Sequence, residues 1–341
     1  MKAAYYEGNK KFSVGESPIV HPEAGQVRME VAYCGVCGTD VGIFLGHRDN
    51  QVKVPQVVGH EACGTVVEVG QGVDGFNVGD RVVVRPTDAC GKCPTCERGD
   101  TNICPSINFI GVSSPGAFQG SWTVPANLLH KLPESINMVH AALVEPMAVA
   151  AHDVRLAGVK AGDYCVVIGA GPIGVLEALV CREKGAKVVV SEVNSSRVAL
   201  AKELGFEVVN PAETDVVKHV MDSTGGDGAD FVFEVTGSQA GVDMMTKLPR
   251  THGTIVIVAI FAEPKMVDLR TILWREYTVV GTRNYVGQDF EEAIRLVAEA
   301  SMPLDKIVSD VRPLDRMQET FEEILSGKAD FMKVLFATSE D

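Results

Sequence analysis

Positive charge is what this 341-residue chain lacks most plainly: 31 lysines and arginines stand against 45 aspartates and glutamates, a formal net charge of -14. A surface of that sign repels phosphodiester backbones and anionic lipid, so no nucleic-acid or membrane partner is expected. Long apolar runs are missing too. The longest, from Cys165 to Cys181, is interrupted by Gly169, Gly171, Pro172, Gly174 and Glu177, which leaves it too short and too broken to span a bilayer. The N-terminus shows no basic segment followed by an apolar one, so no export signal is expected and the cytoplasm is the expected location. There is no internal repeat, low-complexity tract or long linker.

What is present suits a folded globular protein: 46% of residues are hydrophobic and 22% charged. At about 150 residues per domain, the length predicts two domains. The first, residues 1 to about 130, carries short β-branched runs such as Gln26 to Ala32, Ala62 to Val69 and Arg81 to Val84 between Gly, Pro and Asp turn signals. It reads as an irregular antiparallel β domain. From Asp163 the pattern becomes alternating strand and helix: Tyr164 to Ile168 apolar, Pro172 to Lys184 helical, Lys187 to Ser191 apolar, Ser196 to Leu204 helical. A helix at Asp215 to Asp222 and strands at Phe231 to Val235, Thr254 to Ile260 and Tyr277 to Val280 continue it toward a six-stranded, doubly wound parallel sheet. Two amphipathic segments, Phe290 to Ala300 and Arg316 to Leu325, and a last strand, Lys333 to Phe336, are expected to return to the first domain. The predicted division is 1–148 completed by 287–341, with 149–286 between, and the two parts are expected to meet across a cleft that holds the active site.

Nine cysteines are present, an odd count that suits reduced thiols and metal better than a disulfide framework. Cys90, Cys93, Cys96 and Cys104 read C-x2-C-x2-C-x7-C, a spacing that closes a tetrahedral site with no open position, so a structural zinc is expected there. A nucleic-acid-binding zinc module is disfavoured, because the lobe carries only Lys92 and Arg98 as cations. Cys37, His60 and Glu61 offer one sulfur, one imidazole and one carboxylate. A zinc held by three such ligands keeps a place for water or substrate, which is the pattern of a catalytic metal.

Gly169-Ala170-Gly171-Pro172-Ile173-Gly174 fits G-x-G-x-x-G directly after a predicted strand and at the start of a predicted helix. The glycines permit a tight turn and let backbone N–H groups approach a pyrophosphate at the positive helix end. Glu192 stands 18 residues after Gly174, at the end of the second strand, placed to accept both adenine-ribose hydroxyls and to repel a 2′-phosphate. NAD is therefore favoured over NADP. Arg197 is a candidate for the adenine face, and loops after later strands add Thr236, Ala259, Ile260 and Arg283 as candidate cofactor contacts.

Gly35-Val36-Cys37-Gly38-Thr39-Asp40, Gly59-His60-Glu61, the four-cysteine lobe, Gly79-Asp80-Arg81-Val82, Glu145-Pro146 and the glycine loop with Glu192 together resemble the zinc-containing medium-chain dehydrogenase/reductases, over nearly the whole chain. The sorbitol, threonine and butanediol dehydrogenase branch is the most similar, because Glu145 stands where many alcohol dehydrogenases carry a cysteine ligand. The resemblance implies a GroES-like catalytic domain, made of the N-terminal part plus the C-terminal tail, and a Rossmann domain between. It implies that Cys37, His60 and Glu61 hold zinc, with Glu145 as a fourth ligand or as partner of the zinc-bound water. It implies oxidation of a small secondary alcohol by NAD, with Thr39 starting the proton relay and Phe44 and Phe109 on the substrate wall. Relatives are usually dimers or tetramers.

One position departs from the family: Gly42 stands where the relay histidine is usual, and His47 is the candidate replacement. Two rival readings are an NADP-dependent aldehyde reductase, against which Glu192 argues, and a non-catalytic zinc- and nucleotide-binding protein, against which Thr39 and the complete ligand set argue.

Overall fold

The computed structural model describes residues 1–299, 301–327 and 331–338. It divides into two units, Met1–Glu145 with Val286–Asp341, and Pro146–Tyr285. The first boundary falls after Glu145 rather than after residue 148, because one continuous helix, Val144–Ala157, leaves the first unit at its opening turn.

The first unit is organised by the strand Gln26–Gly35, whose early residues alternate between half-exposed and buried, the period of a sheet with one face on a core. It pairs antiparallel with Glu61–Val69 and Ser121–Pro125. Near its C-terminal end it also pairs with Lys333–Ala337, Leu335 lying opposite Gly35. The tail therefore does return, as its amphipathic pattern suggested. Its helix Met317–Ser326 contributes Phe321 to a fully apolar cluster in which the ring centroids of Phe12 and Phe44 lie 4.8 Å and 5.2 Å from that of Phe321. Such aromatic contacts are worth about 0.5–1.5 kcal/mol each beyond the area they bury.

The second unit holds six parallel strands in the order Glu207–Val209, Lys187–Ser191, Tyr164–Ile168, Ala229–Glu234, Pro249–Ile257 and Thr278–Gly281. Chain order reverses on either side of Tyr164–Ile168, the switch point where an open α/β sheet takes its ligand. This is the Rossmann arrangement. Val166, Ile168, Val189, Val232 and Ile255 form its core with Val242 and Met245. The strand Pro249–Ile257 ends three residues before the predicted Ile260, since the amides of Val258 and Ala259 both turn to the Glu234 carbonyl. The helix Gly287–Ala298 starts earlier than the predicted Phe290, set by an Asp289 carboxylate that accepts from the Val286 N–H, and the predicted terminus Ala300 lies outside the described residues. Among the described residues no helix is long and apolar enough to cross a membrane.

One feature of this core sets a pH dependence. Glu177, from the helix Pro172–Glu183, is fully buried and faces Asp153 of the helix Val144–Ala157. Burial, then the Asp153 charge, pushes the Glu177 carboxyl well above its ordinary value. The folded chain thus holds a proton that the unfolded chain releases above about pH 4.3, so this site loses stability as pH rises toward the folded value. Glu177→Gln is expected to raise the melting temperature at pH 8 by about 4 °C and to change it little near pH 4.5. A lower melting temperature at pH 8 would show that the charge is compensated in the fold.

Candidate metal centres and nucleotide loop

Cys37 caps the short helix Gly38–Phe44, with extended backbone at φ -100 and ψ 158. Its N–H donates to Asp40 Oδ2 at 2.9 Å, and the other carboxylate oxygen of Asp40 faces His60 Nδ1 at 3.6 Å. Asp40 and His60 are both buried, 0% and 2% exposed, so one carboxylate holds the Cys37 amide and stands beside Nδ1 of the His60 ring. Burial penalises the His60 cation, but the Asp40 and Cys37 charges outweigh it and hold the imidazole well above its ordinary value. Glu61 opens the strand Glu61–Val69 opposite Gly35, where a Cβ would fall 2.1 Å from Glu61 Oε2. Glycine at 35 is thus a requirement of the carboxylate's position. The ligand atoms of Cys37, His60 and Glu61 all lie within 4.8 Å of one another.

Lys333, brought from the far end of the chain by its strand, places Nζ 2.8 Å and 2.7 Å from the two oxygens of Glu61 and 3.0 Å from the Val36 carbonyl. The ammonium is 3% and the carboxylate 1% exposed. Burial works against the Lys333 cation, yet Glu61, Cys37 and Glu145 together raise it above its ordinary value. Any approach of Glu61 to a metal therefore competes with this pair. Glu145, buried in the first turn of its helix, stays outside the group of three converging ligand atoms and sits within electrostatic range of Lys333. Three of the four predicted ligands, Cys37, His60 and Glu61, thus converge within 4.8 Å.

Thr39, half-buried, follows Cys37 on the same helix. His47 is exposed, and among the described residues its side chain makes no hydrogen bond; its backbone N–H bonds the Gly42 carbonyl at 2.9 Å. Phe109 meets His60 edge-on, with ring centroids 5.1 Å apart. Phe44 does not line a wall: it is 1% exposed and stacks on Phe12, so the aromatic core claims it.

In the cysteine lobe the Sγ atoms of Cys93 and Cys96 are 3.5 Å apart, Cys93 and Cys104 3.9 Å, and Cys90 and Cys96 4.0 Å. Zn–S bonds of about 2.3 Å at tetrahedral angles separate sulfurs by about 3.8 Å, so the four thiols already outline the edges of a zinc tetrahedron. A disulfide, at about 2.05 Å, is excluded by these distances. The Cys96 backbone N–H first of all draws the Cys93 thiol down to about 6, a thiolate at neutral pH.

The glycine loop folds as its spacing predicts. Gly169 has φ +107, which only glycine adopts readily, and a Cβ on Gly174 would sit 2.0 Å from the Gly169 carbonyl oxygen. Gly171 caps the helix and Pro172 opens it, leaving the first-turn amides of Ile173 and Gly174 without intrahelical acceptors. Beside Gly171 stands Arg197, with Nη1 3.7 Å from where a Cβ would be, so its cation lies against the phosphate loop. Glu192 is 6% exposed; Oε2 accepts from Ala170 N at 2.7 Å, and Oε1 accepts from Val193 N and Asn194 N. With two acceptor positions per oxygen, one remains for a ribose hydroxyl, where two hydroxyls were expected to bind. Thr236 packs against Gly169, Ala259 and Ile260 lie against Gly237, and Arg283 is exposed just after the last strand of the sheet. Glu234, absent from the sequence reading, is fully buried and accepts from the amides of Thr236 and Gly237.

Residues 23–134 match the model of the alcohol dehydrogenase GroES-like domain, and residues 172–299 that of the zinc-binding dehydrogenase. A 2-dehydro-3-deoxy-L-galactonate 5-dehydrogenase of Pseudoalteromonas atlantica is 47% identical over 98% of both chains. The chain belongs to the zinc-binding alcohol dehydrogenase family. A sorbitol dehydrogenase of Halalkalibacterium halodurans is 35% identical over 96% of both chains. The crystal structure of 2R,3R-butanediol dehydrogenase from Bacillus subtilis superposes with a TM-score of 0.91 at 33% identity, covering 99% of each chain. Within the family frame, the first matched segment contains Cys37, His60, Glu61 and the cysteine lobe, and the second begins at Pro172 in the glycine loop. Glu145 and Lys333 fall outside both segments.

Proposed function

We propose that this dehydrogenase oxidises a secondary alcohol of a small polyhydroxylated substrate to the ketone, with NAD as hydride acceptor, and that sugar acids are its preferred class. The observation that carries the reading is the convergence of Cys37, His60 and Glu61 at the start of the helix that also bears Thr39. Bound zinc supplies a Lewis acid that lowers the pKa of a substrate hydroxyl, and bound NAD takes the hydride. The rest is the work of the chain. Asp40 holds Cys37 and His60 in place, and Lys333 fixes the second carboxylate beside them. The Thr39 hydroxyl accepts the proton leaving the substrate and passes it outward; with Gly42 in the usual relay position, water or the exposed His47 carries it on. Amides of the glycine loop and Arg197 hold the pyrophosphate, while Glu192 repels a 2′-phosphate and so selects NAD.

The galactonate-type relative supports the choice of sugar acids over polyols, diols and L-threonine. Following NADH absorbance with each class, and with NADP in parallel, tests it: the expected result is fastest turnover on an aldonate with NAD. Preference for NADP and an aldehyde would favour the reductase alternative.

We further propose a homodimer in the cytoplasm, where the nine free cysteines stay reduced. Among the described residues the edge strand Thr278–Gly281 has no partner on its outer side, and the helix Leu269–Arg275 buries none of its residues, with Leu269, Leu273 and Trp274 each more than 70% exposed. An apolar patch beside an open strand edge suits a second copy of the same surface. Sedimentation is expected to give twice the 36.5 kDa of one chain, and Leu273→Glu to shift it toward one; a monomer throughout would remove this proposal.

A further inference from the structure

We propose that Arg48 binds the carboxylate of the substrate, in the space that Gly42 leaves beside Thr39. The proposal rests on the dehydrogenase reading above and gives a physical cause for a sugar-acid preference.

Thr39 and Gly42 are three residues apart on the helix Gly38–Phe44, so they share a face and their positions lie about 5–6 Å apart. Beyond the adjacent residues and the helix's own backbone, a Cβ at Gly42 would meet Arg48 Nε, at 3.9 Å, and nothing else within 4 Å among the described residues. The missing side chain thus admits a guanidinium one helical turn from the hydroxyl that meets the reacting oxygen.

Arg48 is half-buried, and among the described residues it forms no ion pair; its side chain makes one hydrogen bond, Nη1 to Gln51 Oε1 at 3.2 Å. In a chain with 45 carboxylates, a partly desolvated arginine with no acidic partner is an anion site in search of its anion. The adjacent acid in the chain, Asp49, accepts from the Tyr6 hydroxyl at 2.9 Å. Of the five N–H donors on a guanidinium, four remain, enough for a two-pronged bond to a carboxylate.

Proton relay is not an alternative role for this group. An arginine stays protonated at any pH the enzyme meets, so it cannot take and release the proton that a histidine at position 42 would pass. The change at Gly42 therefore exchanges a step of proton transfer for a charge contact, and an open-chain hydroxy acid extended along the helix face brings its carboxylate to Arg48 while a more distal hydroxyl sits at Thr39. A neutral polyol of the same length gains nothing from this contact.

The test uses the zinc-loaded enzyme with saturating NAD, an aldonate and the alditol of the same carbon skeleton. Arg48→Ala is expected to lower the aldonate-to-alditol ratio of kcat/KM about 10- to 100-fold, chiefly through a higher aldonate KM, the range of a charge-assisted hydrogen bond. Arg48→Lys, which keeps the charge and loses the fork, is expected to recover about a tenth to a third of the ratio. Equal losses on both substrates, or an unaltered ratio, would overturn the proposal and leave the dehydrogenase reading standing. No turnover of any alcohol by the native enzyme would overturn both.

Discussion

Cys37→Ser is expected to abolish alcohol oxidation while NAD still binds. The thiolate is one of three groups whose ligand atoms converge within 4.8 Å, and the other two, His60 and Glu61, are each tied to a further residue, Asp40 and Lys333. Serine is a poor zinc ligand at neutral pH, so the substitution removes the only soft donor of the set. A Lewis acid at this position is worth several kcal/mol of barrier, so turnover should fall by a factor on the order of 1000 or more. The glycine loop belongs to the other unit, so NADH fluorescence titration should give a Kd within about twofold of the native value. Turnover within tenfold of native would remove Cys37 from the metal centre.

Lys333→Met is expected to destabilise the protein by about 3–5 kcal/mol, because it leaves the Glu61 carboxylate buried without its cation. Both partners are almost wholly excluded from water, and Nζ contacts both carboxylate oxygens. Lys333→Met combined with Glu61→Gln removes both charges and is expected to regain most of the loss. Denaturant unfolding of the metal-free protein separates this effect from any change in zinc affinity. A single variant within 1 kcal/mol of native, or a double variant no better than the single, would show that water or another group already compensates Glu61.

Much of this was legible in the sequence where the signal is local. Four cysteines within one loop, or glycines between a strand and a helix, fix their own geometry, and both motifs fold as their spacing implies. The alternation from Tyr164 onward gave the parallel sheet because buried strands and amphipathic helices have different periods. What stayed hidden is long-range or short. Lys333 meets Glu61 across 272 positions through the pairing of the last strand with Gln26–Gly35, and no local pattern marks a lysine for burial. Asp40 lay inside the quoted Cys37 motif, yet its reach to His60 is a tertiary fact. The strand Glu207–Val209 and the helix Leu269–Arg275 are too short to show a period. Phe44 was misplaced because an aromatic side chain near a site serves a core equally well, and here Phe12 and Phe321 enclose it.

The chain is expected to hold two metal ions of different kind, one closed in by four sulfurs and one left open beside Thr39. Anomalous scattering from crystals of the zinc-loaded protein, recorded at the zinc edge, tests it most directly. Two peaks are predicted, one enclosed by Cys90, Cys93, Cys96 and Cys104 and one in contact with Cys37 and His60. A single peak in the cysteine lobe, with none between Cys37 and His60 at full zinc loading, would contradict it.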